Sequence, residues 1–221
     1  KNVGMGSGNN IGLKACKTNY AYILNPDTKF NKDTMKNLID TLNKVSDFTI
    51  ASPLNDDPKI PNYKVVDFTK TISENILSVE SIDGFSMFFN LKKFPDKNFF
   101  DENFFLYLEN DDLCLRVKQK NEFIFIVKNS LINHKGGIGD KKNLEYLRNW
   151  HWMWSKFYFN KKHYGFYRAI IKIFYNLISA CFKFFIYSII FNSHKKKIYK
   201  MRLCGIYSSV LGKKSSYRID N

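Results

Sequence analysis

The chain has 221 residues, 44% of them hydrophobic and 25% charged, with a formal net charge of +15. That apolar content excludes an intrinsically disordered polypeptide and suffices for one sizeable core. The four cysteines, Cys16, Cys114, Cys181 and Cys204, lie far apart with no C-x-x-C pair, which excludes a zinc ribbon and a disulfide framework and fits ordinary thiols in a reducing compartment.

The charge is unevenly placed. Of 35 basic and 20 acidic residues, residues 1–140 hold 18 of each, leaving 17 basic and 2 acidic residues for 141–221. A neutral domain followed by a basic tail implies two tasks, one facing a soluble ligand and one facing a polyanion.

In chain order, "KNVGMGSGNNIGLKAC" reads as a glycine-rich loop leading into a short helix, with Asn9 and Asn10 among glycines that would let backbone N–H groups approach a phosphate or sugar. A plain glycine turn explains it equally well. "YAYILNPD" reads as a buried strand ending at Pro26, with Asn25 and Asp27 at its C-terminal edge, where open α/β sheets bind ligands. Met35, Leu38, Ile39 and Leu42 recur at helical spacing, and "DFTIASPL" follows as a strand, so the alternation is α/β. Further extended segments run through "KVVDFTKTI" and "ILSVESIDGFSMFFNLKKF", where Asp83 and Gly84 mark a bulge or close approach. "EFIFIV" and "SLINHKGG" complete the strands and leave His134 at an exit beside glycines.

Between them lies "NFFLYLENDDLCLRVKQKN", an aromatic run followed by Glu109, Asn110, Asp111 and Asp112. Crowded carboxylates raise one another's pKa unless a cation or a proton is expected among them. Asp111 and Asp112 suit the first turn of a helix beginning there, one as its N-cap. Glu109, placed before that helix, is not explained by capping. An acid after one strand, acids after a second and a histidine after a third would converge at one sheet edge as ligands for Mg2+ or Mn2+, with a spare carboxylate as base.

The motifs "NVGMGSGNNIGL", "YILNPDT", "SIDGFSMFF", "FDENFFLYLENDDLCLRV" and "NHKGG" resemble, in order and approximate spacing, the family 2 glycosyltransferases, particularly their rhamnosyltransferase-like branch. The resemblance covers roughly residues 2 to 165. It implies a GT-A fold, α/β and Rossmann-like with a mixed sheet, and inverting transfer of a sugar, rhamnose being one candidate, from a nucleotide-diphosphate donor to a lipid-linked saccharide of a bacterial surface polysaccharide. By that resemblance Asp27 binds the metal with His134 as a further ligand, Asn9, Asn10, Asn25 and Asp27 lie on the donor side, and Asp83 and Gly84 on the acceptor side. The Trp150, Trp152 and Trp154 cluster reads most simply as a packing or interface belt, with acceptor-sugar stacking by Trp152 as the alternative. "ENDDLCLR" matches the stretch carrying the general base, but Asn110 stands where many relatives have Asp. An amide cannot take that proton, so the base is Glu109 or Asp112, with Glu109 favoured. Relatives begin some sixty or more residues earlier, so the resemblance further implies a core lacking its first strands and a chain that by itself is catalytically incompetent.

The division expected is a partial catalytic domain at 1–147 and a basic, aromatic helical extension at 148–221. Placed on a helix at 100° per residue, Arg168, Lys172, Asn176, Ser179 and Lys183 fall within an arc of about 80°, and apart from Ser188 the remaining surface is Ile, Phe, Leu and Tyr. This suits a helix lying on an anionic membrane surface, with Lys195, Lys196 and Lys197 reaching headgroups, at the cytoplasmic face of the inner membrane. A spanning helix and a helix packed on protein are the alternatives. The rival for the whole chain is a non-catalytic membrane-docking or nucleic-acid-binding protein. The apolar character of the charged helix argues against nucleic acid.

Overall fold

A computed structural model describes residues 2–45, 47–65, 71–134 and 142–218. Most of the extended run expected after Lys64, and the glycines after His134, lie outside the described residues. The chain forms two compact units. One comprises Ser7–Asp101 and Glu109–Ile138; the other comprises Lys1–Gly6, Glu102–Leu108 and Gly139–Asn221.

The first unit is built on a mixed sheet. Helix α1 (Met5–Ala15) leads to β1 (Tyr20–Leu24), β2 (Thr28–Phe30), α2 (Thr34–Leu42), β3 (Ile50–Asn55), β4 (Tyr63–Lys64), β5 (Thr71–Ser73), β6 (Ile76–Ser78), β7 (Ser81–Ile82) and β8 (Ser86–Asn90), then α3 (Glu109–Gln119) and β9 (Ile124–His134). The order is β1-β8-β3-β9-β6-β5, with β2 added to β9, and β4 and β7 form a separate pair. β3 and β9 run parallel and the other pairings are antiparallel. Central positions such as Ile50, Met87, Phe89, Ile124 and Ile126 are buried and form the main core with Leu113 and Val117 of α3. Leu38 and Leu42 of α2 cover the other face with Phe88, Phe125 and Val127.

Three expectations change here. The glycines of "GMGSGNNIG" lie mostly inside α1 rather than in a loop, because Asn10 is buried and exchanges hydrogen bonds with Phe100, its Nδ2 donating to the carbonyl at 2.9 Å and its Oδ1 accepting from the amide at 3.0 Å. β1 is an edge strand in which only Ile23 is buried; its tyrosines supply aromatic faces for stacking, Tyr20 on Phe88 and Tyr22 on Phe30. "EFIFIV" and "SLINH" are one eleven-residue strand, β9. Pro53 interrupts β3 with no N–H to donate, and the register against β9 shifts between Pro53 and Leu54.

The second unit is helical: α4 (Lys142–Tyr164), α5 (Phe166–Ile189) and α6 (Ser193–Val210) pack on one another. Met153 and Phe157 of α4, Ala169 and Ile173 of α5 and Ile206 of α6 form its core. Gly205 lets α6 approach α4 closely, since a Cβ there would collide with the Trp150 carbonyl oxygen. Trp150 and Trp154 are buried with Phe104. The segment 213–218 is tied back onto α4: Trp154 Nε1 donates to the Lys213 carbonyl at 2.9 Å, and buried His151 bonds Ser215 Oγ and the Tyr217 carbonyl oxygen, both at 2.8 Å.

Candidate functional site

Short-range geometry brings Asp27 and His134 together. After β1 the chain turns through Asn25, whose N–H donates to the Phe85 carbonyl and whose carbonyl accepts from Thr28 N and Oγ1. β2 then pairs with β9 so that Thr28 lies opposite His134. The result is Asp27 Oδ2 at 3.3 Å from His134 Nε2, both side chains about three-quarters covered. The imidazole stacks on Phe85, with ring centroids 4.1 Å apart and an interplanar angle of 10°. Among the described residues, buried His134 Nε2 has no hydrogen-bond partner of normal geometry, so a nitrogen and a carboxylate oxygen face one another as two possible ligating atoms.

Asp83 is linked electrostatically to this pair. Burial raises its pKa first, and the negative charge of Asp111 raises it further, against the lowering influence of Lys64 and His134. Lys64 Nζ pairs with Asp111 Oδ1 at 2.6 Å. Nothing in the sequence singles out Lys64; its place beside Asp111 comes from the pairing of β4 with β7, which sets it opposite Ser81.

Helix α3 starts at Glu109, two residues earlier than expected, so Glu109, Asp111 and Asp112 all lie in its first turn, where acidic groups meet the positive end of the helix dipole. The capping expected of Asp111 or Asp112 is therefore replaced by other partners. Asp112 is wholly buried and accepts from Arg116 Nε at 2.9 Å. Arg116 also reaches the carbonyl oxygens of Asn98 and Phe99. Asp112 is thus held by an arginine that is itself tied to the fold. Asn110 Nδ2 donates to the Ile82 carbonyl at 2.8 Å, so the amide at that position docks α3 on β7.

Glu109 differs from its neighbours. It is 3% exposed, and among the described residues Oε2 has no hydrogen-bond partner. Burial pushes its pKa up to about 7, opposed by a hydrogen bond from its own backbone N–H and reinforced by Asp111. The two residues before it, Tyr107 and Leu108, both have positive φ, 71° and 67°. Left-handed backbone at non-glycine residues costs on the order of 1–3 kcal/mol each and clusters where a side chain must be aimed.

Among the described residues no three His, Cys, Asp or Glu side chains come close enough to hold a metal ion. The expected meeting of Asp27, Glu109 and His134 around one cation is therefore corrected to a two-residue pair. Asp111 acts electrostatically on both Glu109 and Asp83, and His134 acts on Asp83; Glu109 starts a helix, whereas Asp27 and His134 meet across a strand pair. Two protein ligands still fit Mg2+ or Mn2+, which retain water and substrate oxygens in their coordination shells.

The other expected site residues are dispersed. Asn9 is half-buried in α1, and Asn10 is committed to Phe100. Gly84 lies in the turn between β7 and β8. Trp152 belongs to the helical unit, is 40% exposed, and meets Tyr107 edge-on at 5.4 Å beside an open cavity of about 270 Å3 lined also by Arg148 and Asn149. Arg168, Lys172 and Lys183 are exposed on α5. Lys195, Lys196 and Lys197, in the first turn and a half of α6, place their ammonium groups over Tyr187, Phe184 and Tyr146.

No protein-family model matches the sequence, and no curated protein does. Solved structures do. GalNAc-T7 with UDP, GalNAc and Mn2+ aligns over 80% of this chain and 44% of its own, with a TM-score of 0.51 at 12% identity. The mannosyltransferase PcManGT from Pyrobaculum calidifontis, in complex with GDP-Man and Mn2+, aligns over 96% of this chain and 68% of its own, with a TM-score of 0.52 at 8% identity. The chain has a GT-A fold. It spans less than half the length of the first neighbour, so it shares an architecture with these enzymes rather than their full extent. Within the same unit, Asp27 follows the edge strand β1 and Glu109 opens α3.

Proposed function

We propose that this chain is part of an inverting glycosyltransferase that moves a sugar from a nucleotide diphosphate to a hydroxyl of a lipid-linked saccharide. The observation that carries the reading is Glu109, a buried carboxyl with a pKa of about 7 in the same GT-A unit as the Asp27–His134 pair. A general base works best when its pKa lies near the operating pH.

In this reading the acceptor hydroxyl gives its proton to Glu109 as its oxygen bonds to the anomeric carbon. The bond from that carbon to the diphosphate oxygen breaks on the opposite face, so configuration inverts and no covalent enzyme intermediate forms. Asp27 and His134 would hold Mg2+ or Mn2+, which supplies charge neutralisation for the departing diphosphate. Asp83, whose own carboxyl is biased toward the neutral form, and Gly84 would contact the acceptor. Asn9 and Asn25 remain donor-side candidates, whereas the carboxamide of Asn10 is already engaged. The neighbours' UDP and GDP-Man support a nucleotide-linked donor, and the sequence resemblance supports rhamnose as one sugar to test, in a bacterial surface polysaccharide made at the cytoplasmic face of the inner membrane.

The test is isothermal titration of the full-length protein with UDP-, GDP- and dTDP-linked sugars, with and without Mn2+. Binding of one donor that requires Mn2+ and is lost in both Asp27→Asn and His134→Ala is expected. Donor binding indifferent to those two substitutions would overturn the assignment of the pair.

A further inference from the structure

The helical unit leaves one face of α5 uncovered. Ala169, Ile173 and Ala180 are buried against the other helices. At 100° per residue, Ile171, Phe174, Ile178, Phe182, Phe185 and Ile189 fall within an arc of about 80° on the opposite side. All six are exposed, between 54% and 73%. From Ile171 to Ile189 this stripe runs about 27 Å at about 1.5 Å per residue. An unbroken apolar stripe of that length is far beyond the isolated surface hydrophobics of an ordinary soluble protein.

One long edge of the stripe is cationic. Arg168, Lys172 and Lys183 follow it around the helix within about 60°, and all three are exposed. Tyr167 and Tyr175, each 84% exposed, have the half-apolar, half-polar rings that settle at the headgroup level of a bilayer. We infer that α5 is a monotopic docking surface that lies in the plane of an anionic bilayer, inserting its Ile and Phe stripe and setting its cations among the phosphates.

Two other occupants fit less well. A second copy seated on the same face would bring together two helical units in which residues 141–221 carry 17 basic and 2 acidic residues each, a like-charge encounter. α5 is long and apolar enough to span a membrane, but crossing would carry Lys183, in the middle of its apolar run, into hydrocarbon. It would also drag in the helices packed on it: Lys156 of α4 bonds Asn176 of α5 at 2.9 Å, and α6 opens with three consecutive lysines. A helix lying in the interface satisfies both sides, with one face on protein and the other on lipid.

The inference needs neither donor nor metal, so it stands or falls separately from the sugar-transfer reading. The experiment is co-flotation of the full-length protein with phosphatidylcholine vesicles, with and without phosphatidylglycerol. Binding to the anionic vesicles is expected, weakened roughly fivefold by each of Lys172→Gln and Lys183→Gln, the value of one cation near an anionic surface. Phe174→Glu, Ile178→Glu and Phe182→Glu should each reduce partitioning at least tenfold, as expected of a charge forced into the apolar layer; they alter exposed positions, and circular dichroism checks that the helices persist. Environment-sensitive labels on Ile171→Cys, Ile178→Cys and Phe185→Cys should be quenched equally by nitroxides at shallow depth. A label at position 178 deeper than the other two would show a spanning helix and overturn the proposal. So would absence of vesicle binding, or a dimer in light scattering that Phe182→Glu dissolves without affecting flotation.

Discussion

Replacing Glu109 with Gln separates the cost of burying a carboxylate from its use. Folding raises the pKa of this group from 4.5 to about 7, so the folded chain binds the proton more tightly than the unfolded one. Stability then falls as pH rises between those values, by about 1.4 kcal/mol per tenfold difference in proton affinity, or about 3 kcal/mol in all. The penalty is absent below pH 4.5 and complete above pH 7. Glutamine has the shape of the protonated acid and never ionises, so the variant escapes it. At 2–4 °C per kcal/mol for a chain of this size, Glu109→Gln should melt roughly 6–12 °C above the parent at pH 8 and level with it near pH 4.5. Differential scanning calorimetry across that range reads the effect. Turnover should move the opposite way: the parent's kcat/KM should rise through about pH 7 to a plateau, and Glu109→Gln should lose on the order of 10²–10⁴-fold, the usual contribution of a general base. A stabilisation independent of pH, or a variant less stable at pH 8, would refute the claim that burial of this carboxylate outweighs the hydrogen bond from its own backbone N–H.

Three further outcomes follow from neighbouring geometry. Asn110→Asp removes the donor to the Ile82 carbonyl and sets a carboxylate against that oxygen, so urea denaturation should show a loss of about 1–3 kcal/mol. Arg116→Met leaves Asp112 buried without its cation and should cost about 3–5 kcal/mol at neutral pH, with part recovered by adding Asp112→Asn. Gly205→Ala forces a methyl into the Trp150 backbone and should destabilise the helical unit by about 1–3 kcal/mol, read as a lower thermal midpoint.

Much of the architecture was legible because local periodicity and tertiary demand agree. The apolar spacing of Met35, Leu38 and Leu42 gives α2, and the β-branched and aromatic run from Ile124 gives most of β9, since each buries the face its own pattern prepares. The glycines of α1 misled because their permissiveness suits loop and helix alike; the choice was made by Asn10 bonding Phe100, ninety residues away. The start of α3 was likewise hidden. Aspartates signal a helix N-terminus in general, but whether Glu109 lies before the helix or in its first turn depends on the unusual backbone at Tyr107 and Leu108.

Composition and local pattern by themselves determined a neutral α/β part, a basic helical part, and the acids and histidine worth watching. Tertiary structure decided what each acid does. Asp112 and Asp111 found cations in Arg116 and Lys64, while Glu109 has none among the described residues and its pKa is raised by burial. It also decided which side of α5 is hidden: the helical pattern shows one polar strip and a broad apolar remainder, and packing by α4 and α6 alone selects the apolar stripe left facing outward. Ionisation and exposure are properties of surroundings, and surroundings are assembled from residues that the chain keeps far apart.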